Sequence, residues 1–170
     1  GLILETSIKV LPLPDTEKSI QFQYDEKKAI NKMNELANQS LPVSASCFLD
    51  GALYIRLSGA EPAVSAAQKK IGGDSLNAEN FWEEIKNHSH KFFKTDKTLW
   101  RISVKPTNDP LNIGHSLIEW NGAQRWVLTE LPNDAVQDIA KKNGGYAIKF
   151  RSPEGNTGEQ PIRKNLVEFH

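Results

Sequence analysis

Thr98-Leu99-Trp100-Arg101-Ile102-Ser103-Val104-Lys105-Pro106 constrains this chain more than any other stretch. It alternates strictly. Trp100, Ile102 and Val104 fall on one side, and Leu99, Arg101, Ser103 and Lys105 on the other. Period two is the signature of a strand with one buried face. Pro106 ends the run because it cannot donate to a ladder. Amphipathic helices and further strand-sized runs lie on both sides, so this is read as the central strand of a sheet. The functional question is what the Arg101 face looks at.

Composition narrows the setting. One compact domain is the default for 170 residues. The chain carries 21 basic and 21 acidic residues, so no global field draws it to nucleic acid or to a membrane surface. No apolar run approaches the roughly 20 residues of a spanning helix. The single cysteine, Cys47, excludes an internal disulfide. The chain starts at Gly1 and ends inside an amphipathic segment, so both ends are expected to be cuts from a longer protein.

Before the opening strand, residues 1–11 are β-rich. Residues 18–24 alternate, Asp25 stands where an N-cap belongs, and residues 26–38 carry Ala29, Ile30, Met33 and Ala37 at helical spacing. Two strands, 43–49 and 52–58, meet at the hairpin signal Asp50-Gly51. Ser58 and Glu61 have capping-box spacing before a helix that Gly72-Gly73 stops. A helix over 78–92 precedes the opening strand. After it come a loop at 107–114, a hairpin around Asn121-Gly122, a helix opened by Asn133, and a strand at 146–151. The two halves echo each other weakly. Residues 152–159 read as a linker. Strand runs joined by tight hairpins and interleaved with helices predict an α+β fold, an antiparallel sheet with helices packed on one face in ferredoxin-like style.

Chemistry is sparse. No glycine-rich phosphate loop occurs, and no serine sits in a nucleophile elbow. His88 and His90 are two apart on the expected helix and read as solvated surface rather than a metal site. Cys47 reads as a buried, inert thiol. Arginines on strands remain. Arg56, Arg101 and Arg151 fall opposite the aliphatic faces, and Arg125 lies on a neighbouring strand. They are either solvent-facing or, beside Tyr54, able to hold a carboxylate through bidentate hydrogen bonds.

Four stretches carry a family resemblance. They are Leu53-Tyr54-Ile55-Arg56-Leu57-Ser58-Gly59 before an alanine-rich helix, Phe81-Trp82, the opening strand through Thr107, and Ile118-Glu119-Trp120-Asn121-Gly122-Ala123-Gln124-Arg125-Trp126. In order, they resemble the E subunits of bacterial glycolate oxidases, FAD-linked oxidases of the vanillyl-alcohol oxidase type. Gly1 to Pro12 is similar to the junction where the flavin domain of that family ends. The resemblance implies that residues 1–14 end the FAD-binding domain, 15–151 form the C-terminal cap-like domain, and 152–170 are a linker and the start of a C-terminal segment.

It further implies a subunit that works with a flavin-containing and an iron–sulfur subunit. Together they oxidise glycolate to glyoxylate and pass electrons to the respiratory chain. The setting is cytoplasmic, at the inner face of the membrane through partner subunits, with no nucleic acid and no insertion of this chain. The flavin-binding segments are not in this sequence, so this piece by itself is expected to bind FAD weakly or not at all. On this reading Arg56, Arg101, Arg125 and Tyr54 are the substrate-binding candidates. No base is evident, which leaves the main chemistry with the partner flavin subunit. The alternative is a non-catalytic assembly module that docks a partner.

Overall fold

The structure is a computed structural model that describes residues 5–8 and 13–153. The expectations for the N-terminal junction and the 152–159 linker fall largely outside the described residues; residues 5–8 form no strand.

Eight strands form one sheet. They are β1 (Thr16–Gln23), β2 (Val43–Leu49), β3 (Ala52–Gly59), β4 (Asp74–Leu76), β5 (Leu99–Ser103), β6 (His115–Glu119), β7 (Gln124–Leu128) and β8 (Tyr146–Arg151). The helices are α1 (Glu26–Ala37), α2 (Glu61–Ile71), α3 (Glu79–Lys86) and α4 (Asn133–Lys142). The strand order is β4-β1-β3-β2-β6-β7-β5-β8, and every pairing is antiparallel. Counted within each half, the order from either edge inward is fourth, first, third, second. This is the ferredoxin-like order, present twice and joined back to back at β2 and β6. The echo between the halves is thus a real repeat. One difference separates them: α1 connects β1 to β2, whereas only the loop 104–114 connects β5 to β6.

Register assigns the faces. Ile20, Leu53, Ile55, Leu57, Phe48 and Ile118 meet α1 and α2. Trp100, Ile102 and Val127 continue that face under α4. The tryptophan side of the opening strand therefore packs on a helix, but β5 is not the central strand expected: it lies next to the edge strand β8, and β2 and β6 hold the centre. Each of Ile30, Met33 and Leu36 on α1 contributes about 1.5–3 kcal/mol by leaving water.

Three helices share one face as expected, and α3 lies on the other. Trp82 and Ile85 of α3, with Phe92 and Phe93 of the 3-10 turn Lys91–Phe93, pack on Cys47, Leu49, Leu99, Leu117, Trp126 and Leu128. The expected single helix over 78–92 is broken after Lys86, where His88 takes φ 52°. A left-handed residue one step past the C-cap is a common helix stop. The expected capping box at Ser58 does not form either. Ala60 is the N-cap without a side-chain bond, and Ser58 donates instead to Glu17 across the ladder.

Candidate functional site

The arginine-bearing face divides into two regions. In the first, β3 carries Tyr54 and Arg56. The Tyr54 ring stacks on Phe81 at 4.3 Å, and burial pushes its hydroxyl pKa up. Arg56 lies 5.6 Å over the Trp82 ring and donates from Nε to Ser44 Oγ at 2.9 Å. It borders an edge cleft of about 910 Å³ whose wall includes Glu17, Glu79 and Glu83. Its two cations are Arg56 and Lys18, and Lys18 is already drawn to Glu61 at 3.3 Å, so three carboxylates leave the cleft a poor host for an anion.

The second region lies on β5 to β8. Arg101 stands opposite Trp126 on β7 and Ile148 on β8. It is half-buried, and its buried Nε has no hydrogen-bond partner. Leaving a guanidinium N–H dry and unpaired costs a full desolvation penalty. His88 hangs over the same region from the bend after α3. Its ring lies 4.7 Å from Phe93, 4.8 Å from Trp126 and 5.4 Å from Phe150. Burial lowers its pKa; Arg151 and Arg101 lower it further, while Glu119 pulls the other way. Glu119 is held by Trp126 Nε1 at 2.7 Å and Gln124 Nε2 at 3.3 Å. The result is an arginine whose buried Nε lacks an acceptor, beside a histidine biased to the neutral form.

The four substrate-binding candidates are not brought together. Four ladder steps separate β3 from β5, roughly 19 Å at about 4.8 Å per strand. Arg56 and Arg101 cannot share one small carboxylate. Arg125 is on the opposite face, in register with Ile118 and Ile102, and is 1% exposed. Its donors go to the carbonyls of Gly122 at 2.7 Å and Asn108 at 2.9 Å, with Glu26 at 3.9 Å. Arg125 therefore fastens the 104–114 loop to the sheet and has no free donor edge for a substrate. Sequence period alone could not tell these uses apart.

His88 was read from sequence as solvated surface and is instead boxed by three aromatic rings. The usable signal was Asn87-His88 at a helix stop just before Phe92-Phe93. Cys47 is fully buried, and burial raises its thiol pKa well above normal, so the inert reading fits its setting.

Among the described residues, no group of three His, Cys, Asp or Glu could hold a metal, and no helix is long and apolar enough to cross a membrane. Nor is there a phosphate cradle at a helix start. Glu26, Glu61, Glu79 and Asp134 each put a negative charge in the first turn. That charge opposes the anion binding a free helix N-terminus favours.

Fold and face together define the class: an α+β domain on one antiparallel sheet of two ferredoxin-like halves, with one face carrying an arginine whose buried Nε has no acceptor. The particular likeness is to the glycolate oxidase subunit GlcE of Escherichia coli (strain K12), 36% identical over 172 residues and covering all of this chain. The chain spans about half of that relative's length, 48%. No family model and no solved structure matches it. The resemblance carried by the tryptophan and arginine stretches thus extends over the whole chain.

Proposed function

We propose that this chain is the cap-like part of an FAD-linked glycolate oxidase subunit, residues 15–151 forming the cap, and that it takes part in oxidising glycolate to glyoxylate. The observation that carries the reading is the buried, unpartnered Nε of Arg101 on the sheet face beside His88. With no acceptor inside the chain competing for its charge, the half-buried Arg101 side chain is left to hold a substrate carboxylate through a charge-assisted bond. Fixing the carboxylate also orients the hydroxyl-bearing carbon, which is the positioning that a hydride transfer needs.

The described residues do not fit the pyrophosphate of FAD, because every helix start is acidic and no glycine-rich turn opens one. Flavin binding then belongs to the rest of the protein. Flavin-containing and iron–sulfur partner subunits would take the electrons onward, in the cytoplasm at the inner face of the membrane. Of the four candidates, Arg101 is retained as the substrate ligand. Arg56 and Tyr54 form a separate wall, and Arg125 acts as a positioning residue.

The test is Arg101→Gln in the full-length subunit within its assembled complex. KM for glycolate should rise about tenfold or more, the scale of one lost charge-assisted hydrogen bond, while Arg56→Gln leaves KM unchanged. An Arg101→Gln enzyme with normal KM and kcat would sink the proposal.

A further inference from the structure

His88 stands over the strand that carries Arg101. Trp126 on β7 is directly opposite Arg101, and Phe150 belongs to β8 on the other side of β5. The His88 ring meets both, at 4.8 Å and 5.4 Å, so it bridges the two strands that flank β5. Opposite side chains in a ladder start only about 5 Å apart. The imidazole and the Arg101 guanidinium therefore share one patch of the sheet.

The backbone does not explain the choice of histidine. His88 takes φ 52° at the stop of α3, a place where glycine or asparagine usually serves. The three aromatic rings around it hold its ring but offer no nitrogen or oxygen as a partner. Among the described residues neither ring nitrogen has a hydrogen-bond partner, and neither is sealed from solvent. A neutral imidazole has one nitrogen that donates and one that accepts. Burial is the largest influence on its pKa and favours that form.

The other polar groups near it do not accept over β5. Arg101 and Arg151 can only donate, and Arg151 already donates to the Phe93 carbonyl. Glu119 can accept, but β6 is two strands from β5, roughly 10 Å at about 4.8 Å per strand, and Trp126 and Gln124 draw its carboxylate. The patch thus offers a cation with an accepting nitrogen beside it. A 2-hydroxy acid has the complementary pair, a carboxylate that accepts and an adjacent hydroxyl that donates.

We infer that His88 reads the 2-hydroxyl of the substrate, its accepting ring nitrogen taking a hydrogen bond from that hydroxyl while Arg101 holds the carboxylate. His88 is then the residue that separates 2-hydroxy acids from plain carboxylic acids, because an acid without the hydroxyl leaves its nitrogen unpaired. The inference rests on the substrate reading of Arg101 above.

The test uses the full-length subunit in its assembled complex, reduced with dithionite beforehand so that glycolate binds without being oxidised. Calorimetry gives Kd for glycolate and for acetate. The wild type should bind glycolate about fivefold tighter or more, the scale of one hydrogen bond. His88→Phe, which keeps an aromatic ring, and His88→Gly, which suits the left-handed backbone, should both lose that preference and leave Kd for acetate unchanged. His88→Asn, whose amide oxygen accepts, should keep part of it. Arg101→Gln should weaken both acids alike.

A wild type without the preference, a preference kept in His88→Phe and His88→Gly, or equal weakening of both acids in those variants would each overturn the role of His88. If Arg101→Gln changes neither Kd, the substrate reading of Arg101 falls and the inference with it. If Arg101→Gln weakens both acids and the His88 variants keep the preference, only the inference falls.

Discussion

Trp82 Nε1 on α3 donates to Ser19 Oγ on β1 at 2.9 Å, a buried bond between side chains 63 positions apart. It is the polar tether of the one helix that lies on the arginine-bearing face. Ser19→Ala should lower unfolding free energy by about 1–3 kcal/mol, because the indole N–H stays buried without an acceptor. In Trp82→Phe the donor is gone as well, so the double variant should cost less than the sum of the singles. Urea denaturation of the four proteins measures the coupling.

Arg125 is a stability residue on its geometry. Arg125→Ala leaves the carbonyls of Gly122 and Asn108 unpaired and Glu26 without its cation, and should cost about 3–5 kcal/mol. Arg125→Lys keeps the charge but loses the fork that reaches two carbonyls, so it should restore only part. Hydrogen exchange should show the 104–114 loop opening first in both variants.

His88 should give the fold a pH slope of definite sign. Burial holds its folded pKa below the usual 6.5. The unfolded chain then takes up a proton near that pH while the folded one does not. Stability is complete above the unfolded value, falls as pH drops through about 6.5, and levels off once the folded ring protonates. His88→Asn tolerates the left-handed backbone and should flatten the slope. His90, also lowered by burial, keeps a remainder of it. Chemical denaturation at pH 7.5, 6.5 and 5.5 tests this.

Gly145 and Gly51 make a matched pair. A Cβ on Gly145 would run into the Ser103 carbonyl oxygen, so Gly145→Ala must push β8 from β5 and should cost about 3 kcal/mol. At Gly51 a Cβ meets open space and only the φ of +79° opposes it, so Gly51→Ala should cost about 1 kcal/mol. Equal melting temperatures would contradict this ordering.

Much of the fold was legible because it rests on local period and on turns. Alternation at Trp100, Ile102 and Val104 gave the buried side, Asp50-Gly51 gave the β2–β3 hairpin, and Asp25 capped α1 by accepting from Lys28 N–H. The three-residue β4 was too short to show a period. The face of α3 was not legible, since an amphipathic helix states that it has an inner side without stating which side of a sheet receives it. The site was less legible still. Arg101 and Arg125 look alike in a strand pattern, yet one Nε is unpaired and the other is bonded to a carbonyl. The Gly122 acceptor comes from the tight turn just before β7, and the Arg125 terminal nitrogens meet the Asn108 and Asp109 carbonyls only because the 104–114 loop folds back, a long-range event that no local pattern records.

The doubled strand order has one more consequence. Two copies of a half-length chain, pairing their second strands about a two-fold axis, would build this same sheet. The join between β2 and β6 is then a dimer interface drawn inside one polypeptide. A fused dimer is released from the need to keep its halves identical. Here one half has a helix after its first strand, and the other has a loop pinned by an arginine in that place. Two unequal halves thus leave a single sheet with the Arg101 and His88 face at one end and a hollow beside β2 at its middle.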